Sequence, residues 1–181
     1  NLATPPRSPR LLDMQSFIRF LGVLNAAVWF GAVVFFTVVA GPAFFSGEMA
    51  GFLPRPHAAR AAEIVVARLV SLQEWCAVIA LLHLLVEHLY FGRRSGRLVL
   101  GILIGMLAVN VIAGWWLLPK MNGLQRIRYS PQASEVQRAG AKSAFDLWHG
   151  LSQLGNLLVM SGVGFHLWNL TRPPAQLRYS R

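Results

Sequence analysis

The chain has 181 residues, of which 55% are hydrophobic and only 13% charged. Soluble domains carry about 25% charged residues, so this composition cannot build a water-facing surface; the length allows one domain, in a bilayer. A formal charge of +10 comes from 17 Lys and Arg against 7 Asp and Glu. The basic residues lie scattered between apolar runs, without the stripe and interleaved aromatics that nucleic acid requires; basic loops beside anionic headgroups are the simpler reading. The single cysteine, Cys76, excludes an internal disulfide and a CxxC metal or redox pair.

In chain order, residues 1–19 form a basic Pro/Arg-rich tail, 20–170 the membrane domain and 171–181 a basic C-terminal tail. Four apolar runs are each long enough to cross a hydrocarbon core of roughly 30 Å as helices, which predicts an all-α, four-helix integral membrane bundle. They are Phe20–Ala40 and Leu98–Leu118, both uncharged, together with Leu69–Tyr90 and Leu147–Leu170. The first exceeds the usual h-region of a signal peptide and is expected to be retained.

The second and fourth helices are expected to outrun the bilayer. Pro56 suits a first helical position, and no breaker follows until Gly92. Ser130-Pro131 reads as the start of the fourth helix, and Pro119 with Lys120 as the end of the third. The two extensions would form a helical headpiece, touching through small apolar faces: Ala58, Ala61, Ala62, Val65 and Val66 against Ala133, Val136, Gly140 and Ala144. Arg126 and Arg128 fall in a basic loop on that side. Trp75, Trp115, Trp116 and Trp148 gather at the same interface, as aromatic belts do, whereas Trp29 falls mid-span as a packing residue. Gly101-x-x-x-Gly105 offers a face for close helix contact. Basic residues crowd the short flanks at both termini and Arg93–Arg97, so the positive-inside rule puts both termini in the cytoplasm of a multi-pass cell-membrane protein.

Polar groups inside the spans are the functional pointers, because burying them is costly unless they are partnered. His149, Ser152, Gln153 and Asn156 recur at i, i+3, i+4 and i+7 on one helix face. Glu74 lies at the same depth on the parallel second span, so a Glu74–His149 contact completed by Ser152, Gln153 and Asn156 is expected. Such a cluster serves as interhelical glue or as an ion, proton or small-ligand site. His88 and His166 share a depth near the opposite interface; His88, or His83, with His166 would be the pair for a b-type haem or a metal. Asn25 and Asn110 each require a partner in lipid. The sequence holds no Gly-rich phosphate loop, GxSxG, HExxH or catalytic carboxylate pair.

Trp29, Gly31, Phe35 and Phe36, with Phe145, His149, Ser152 and Asn156 on the last span, resemble a family of small four-helix integral membrane proteins. It comprises bacterial domains of unknown function and the vertebrate transmembrane protein 205. The resemblance spans about Phe20–Leu170. It implies a fold and attention to the His149 face, not a reaction; kinship with wider groups having copper-resistance or haem-related roles keeps metal and haem readings open.

The expected function is that of a non-enzymatic membrane protein, an accessory or structural subunit of a larger membrane complex, with no cofactor. Its partners would be the lipid bilayer and other membrane-protein subunits or a second copy. The alternatives are a small transporter or ion- or metal-handling protein using Glu74, His149, Gln153 and Asn156, and a haem b subunit.

Overall fold

A computed structural model describes residues 9–92 and 96–172. Among them there is no strand; the helices are α1 (Pro9–Phe35), α2 (Gly41–Ala43), α3 (Gly47–Phe52), α4 (Arg55–Phe91), α5 (Arg97–Ile112), α6 (Leu118–Arg128) and α7 (Glu135–Thr171). Two π-helical stretches, Phe36–Ala40 and Ala113–Leu117, join α1 to α2 and α5 to α6. Three continuous helices are long and apolar enough to cross a membrane: Asp13–Ala43, Arg55–Phe91 and Arg97–Arg128. The fourth expected span, α7, has the same 37 residues as α4 but is not among them. Ser152, Gln153, Asn156 and His166 dilute its apolar content.

Local chemistry explains most helix ends. Gly92 closes α4 at φ 62°, the left-handed conformation that glycine adopts without steric cost, and its N–H caps the carbonyls of Glu87 and His88. The start of α7 is set by a capping box: the Ser134 hydroxyl accepts from Gln137 N–H while the Gln137 side chain accepts from Ser134 N–H. Ser130-Pro131, expected to open this helix, forms the preceding turn instead. The expected first tail is partly helical, since α1 runs from Pro9; residues 1–8, Arg93, Arg94 and 173–181 lie outside the described residues.

Pro119 does not end the third helix. The chain passes through the π-helical Ala113–Leu117 and continues helically to Arg128. A proline inside an α-helix lacks an N–H and presses on the carbonyl four residues earlier. Here that residue is Trp115, within the π-helical stretch, where the wider turn relieves the conflict. Pro42 repeats the device: its counterpart, Val38, lies in Phe36–Ala40. The residues read as the basic loop, Arg126 and Arg128, therefore belong to α6.

In space, α1 packs on α4 and α7, α4 on α5, α5 on α7, and α6 on α7. The core holds Trp29, Val33, Cys76, Ala77, Leu103, Met106, Val159 and Val163, while Phe17, Phe20, Leu82, Leu85, Ile104 and Leu158 stand exposed on the outside. At one end Arg19 donates from Nε and Nη2 to the Leu170 carbonyl (3.1 and 2.8 Å) and from Nη2 to that of Arg172. A cation thus meets the orphan carbonyls and negative dipole end of α7. At the other end α6 lies along α7 and also touches α4. The expected facing of the α4 and α7 extensions is replaced by contacts through α6: Ala58 and Ala141 are buried, but Val136 is 82% exposed.

Close approaches use glycines other than the predicted pair. A β-carbon at Gly101 or Gly105 would meet nothing within 4 Å, whereas one at Gly22 would come within 2.5–2.8 Å of three His83 ring atoms. Gly22→Ala is expected to lower stability by about 1–3 kcal/mol through overpacking, and Gly101→Ala to change it by less than about 0.5 kcal/mol. Thermal unfolding of the two variants in detergent measures the contrast.

Candidate functional site

The polar side chains between the helices fall into three groups. The first joins α1 to α4. Asn25 Nδ2 donates to the Cys76 carbonyl at 2.9 Å, and Trp29 Nε1 lies 3.4 Å from its acceptor, Gln73 Oε1. Trp29 is fully buried, and Gln73 is 4% exposed. The Trp29 side chain expected only to pack thus also carries a buried hydrogen bond. The other amide, Asn110, donates to Met106 O of its own helix at 3.0 Å and links nothing across.

The second group lies toward the α6 end. Asn156 Nδ2 donates at 2.7 Å to Thr37 Oγ1, and the Thr37 hydroxyl donates in turn to Val33 O at 2.7 Å. Thr37 sits in the first π-helical stretch, where backbone pairing is shifted and a carbonyl can take a side-chain donor. Of the expected His149 cluster, only Asn156 makes this interhelical bond. His149 is exposed, stacks on Phe145 with ring centroids 5.6 Å apart, and accepts from the Gln153 amide at 3.3 Å. The Ser152 hydroxyl returns to His149 O at 2.7 Å, closing a bond within α7. Glu74 stands apart from these three: its Oε1 is buried with no hydrogen-bond partner. A β-carbon on Gly114, in the second π-helical stretch, would lie 3.1 Å from that oxygen and 3.1 Å from Val70 Cγ1.

The third group is near the Arg19 end. His83 and His166 are 7% and 2% exposed. His83 Nε2 donates to Ile18 O at 3.1 Å. In a neutral imidazole the other nitrogen is then an acceptor, and His83 Nδ1 is buried without a partner, as is His166 Nδ1. His88, the same-depth partner expected for His166, is exposed. Haem ligation needs an open imidazole nitrogen and a slot for the macrocycle. In His83, Nε2 is engaged by Ile18 O and the ring lies against Gly22, which leaves Nδ1 as its open nitrogen. Among the described residues no three His, Cys, Asp or Glu side chains converge as metal ligands.

Two members of this interior went unrecognised in the sequence, Thr37 and Gln73. Thr37 was hidden in an uncharged run, and Gln73 stood next to the more conspicuous Glu74. A search for every hydroxyl and amide within the spans, rather than for charges and imidazoles, would have found both.

A family model described as a domain of unknown function (DUF4149) matches residues 24–130, well over half of the chain. The chain belongs to that family. The match runs from within α1 through α6 and stops short of α7. No curated protein and no solved structure matches.

A double-mutant cycle separates the observed pairing from the expected one. Asn156→Ala with Thr37→Ala should give a coupling of about 0.6 kcal/mol, up to about 1.7, the range of interhelical bonds in membranes. Glu74→Gln with His149→Ala should give none. Unfolding in mixed micelles supplies both numbers, and a sizeable Glu74–His149 coupling would contradict the geometry.

Proposed function

We propose that this member of the family is a four-pass membrane protein, with α7 as the fourth crossing, serving as an accessory or structural subunit among other membrane proteins. One observation carries the reading. The interior amides of Asn25, Gln73, Asn110 and Asn156 and the indole of Trp29 are matched to groups of the same chain, while the outward faces are apolar. In hydrocarbon, polar groups must find partners within the protein. Four α7 side chains meet that condition: Ser152, Asn169 and Thr171 bond carbonyls of their own helix, and Asn156 bonds Thr37. At about 1.5 Å per residue, α4 and α7 measure roughly 55 Å against about 30 Å of hydrocarbon, so both would project at the α6 end. The resemblance of the α7 residues to transmembrane protein 205 supports the same topology. The crowded basic flanks favour a cell-membrane protein with cytoplasmic termini.

A second reading is favoured by one feature, the unpartnered Glu74 Oε1 beside Gly114. An unmatched intramembrane carboxyl is a candidate ion site. In that case Glu74→Gln abolishes flux in reconstituted vesicles and leaves the fold intact; unchanged flux removes the reading.

Topology is testable in a Cys76→Ser background by placing single cysteines at Gly96, Ser130 and Arg172. A membrane-impermeant maleimide should label Ser130→Cys from one side and Gly96→Cys and Arg172→Cys from the other. Labelling of the Ser130 and Arg172 sites from one side would mean that α7 does not cross. For the subunit role, mild extraction of native membranes should recover the chain with defined partners. Recovery as a bare monomer would argue against it.

A further inference from the structure

The helix α6 occupies the stretch expected to be a loop, and its outer face has a specific chemistry. Pro119, Lys120, Gly123, Arg126 and Ile127 are all exposed. At 100° per residue they share an arc roughly 120° wide. The helix contains no acidic residue, and among the described residues no carboxylate pairs with Lys120 or Arg126. Lys120 Nζ lies 3.9 Å from the Trp148 ring centroid and 4.8 Å from that of Trp116. The two indoles meet edge to face at 5.1 Å, so they form a fixed seat for the ammonium. Cation–π contact uses part of its capacity, and an ammonium has three N–H donors. Gly123 falls three residues from both Lys120 and Arg126, and a β-carbon there would meet nothing within 4 Å. A bare backbone notch therefore lies between two cations.

We infer that Lys120, Gly123 and Arg126 seat the phosphate of an anionic phospholipid. The proposal rests on the membrane-spanning reading above. A lipid, rather than an acidic protein, is indicated by what adjoins the notch. The helix is the last stretch of the continuous apolar helix Arg97–Arg128, and Trp115 and Trp116 stand 81% and 50% exposed just before it. Indoles occupy the headgroup level of membranes. Below them Ile104, Val111 and Ile112 present an exposed apolar strip on which acyl chains can lie. Holding Lys120 between two rings removes most of the ordering cost of a flexible side chain before the lipid arrives.

The test uses the purified full chain in mild detergent, titrated with phosphatidylglycerol, phosphatidylcholine or inorganic phosphate, with bound species counted by native mass spectrometry. Phosphatidylglycerol should be retained in preference to phosphatidylcholine, and inorganic phosphate should not displace it. Lys120→Gln and Arg126→Gln should each weaken retention about fivefold, the effect of one basic residue near an anionic surface. Gly123→Leu should weaken it without removing a charge. Lys142→Gln should leave it unchanged, since Lys142 pairs with Asp146 at 3.4 Å on the neighbouring helix. Helical melting curves confirm that each variant folds. Equal retention of both lipids would overturn the inference. So would displacement by inorganic phosphate, or Lys120→Gln and Arg126→Gln behaving as the parent. Flotation with vesicles of both compositions separates the two levels. A chain that floats without lipid preference loses only this inference, and one that does not float loses the membrane reading as well.

Discussion

Hydrocarbon supplies no hydrogen bonds, so a helix buried in it must bond its own backbone along its whole length. Proline is the residue that violates this condition, and the chain carries one near the α6 end of two of its three most apolar helices, at Pro42 and Pro119. In both places five π-helical residues precede the proline; the first helix then ends at Ala43, whereas the third continues to Arg128. The rest of the architecture follows from keeping those helices unbroken. Were the third to stop at Pro119, α6 would not lie along α7, and Lys120 would not reach the two indoles.

The π-helical stretches also coincide with polar chemistry. Thr37, in the first, receives Asn156 and passes a hydrogen bond to Val33; Gly114, in the second, leaves room for the Glu74 carboxyl. A wider helical turn changes which carbonyls are available and how closely a neighbouring helix can approach. A device that accommodates proline thereby creates the places where polar side chains sit between helices. Among the described residues at the Arg19 end no such stretch occurs, and the ring of His83 packs directly on Gly22.

Much of this was legible in the sequence. The apolar runs gave the long helices, and Gly92 marked where α4 stops. What failed was angular. Contact needs the azimuth of each helix as well as a residue count along it, and helices apolar on nearly every side reveal little of that azimuth. Hence His83 rather than His88 shares the interior with His166, and Asn156 rather than His149 finds a neighbour. Pro119 misled for another reason: the rule that proline stops a helix holds for regular α geometry, and no residue pattern announced the π-helical turn ahead of it. The GxxxG pair, legible as a motif, faces outward within the chain because its usefulness depends on what lies opposite.

The placement of the two π-helical stretches has a mechanical consequence. Both lie in the half of the molecule nearer α6, on α1 and on the α5–α6 helix, while the opposite half is tied by the guanidinium of Arg19 to the carbonyl end of α7. Helices bend where their backbone ladder is interrupted and resist bending where it is regular. Compliance is therefore graded along the long axis. Force applied to α6 and the start of α7 is absorbed as flexure in a single layer, and the Arg19 half behaves as a rigid footing.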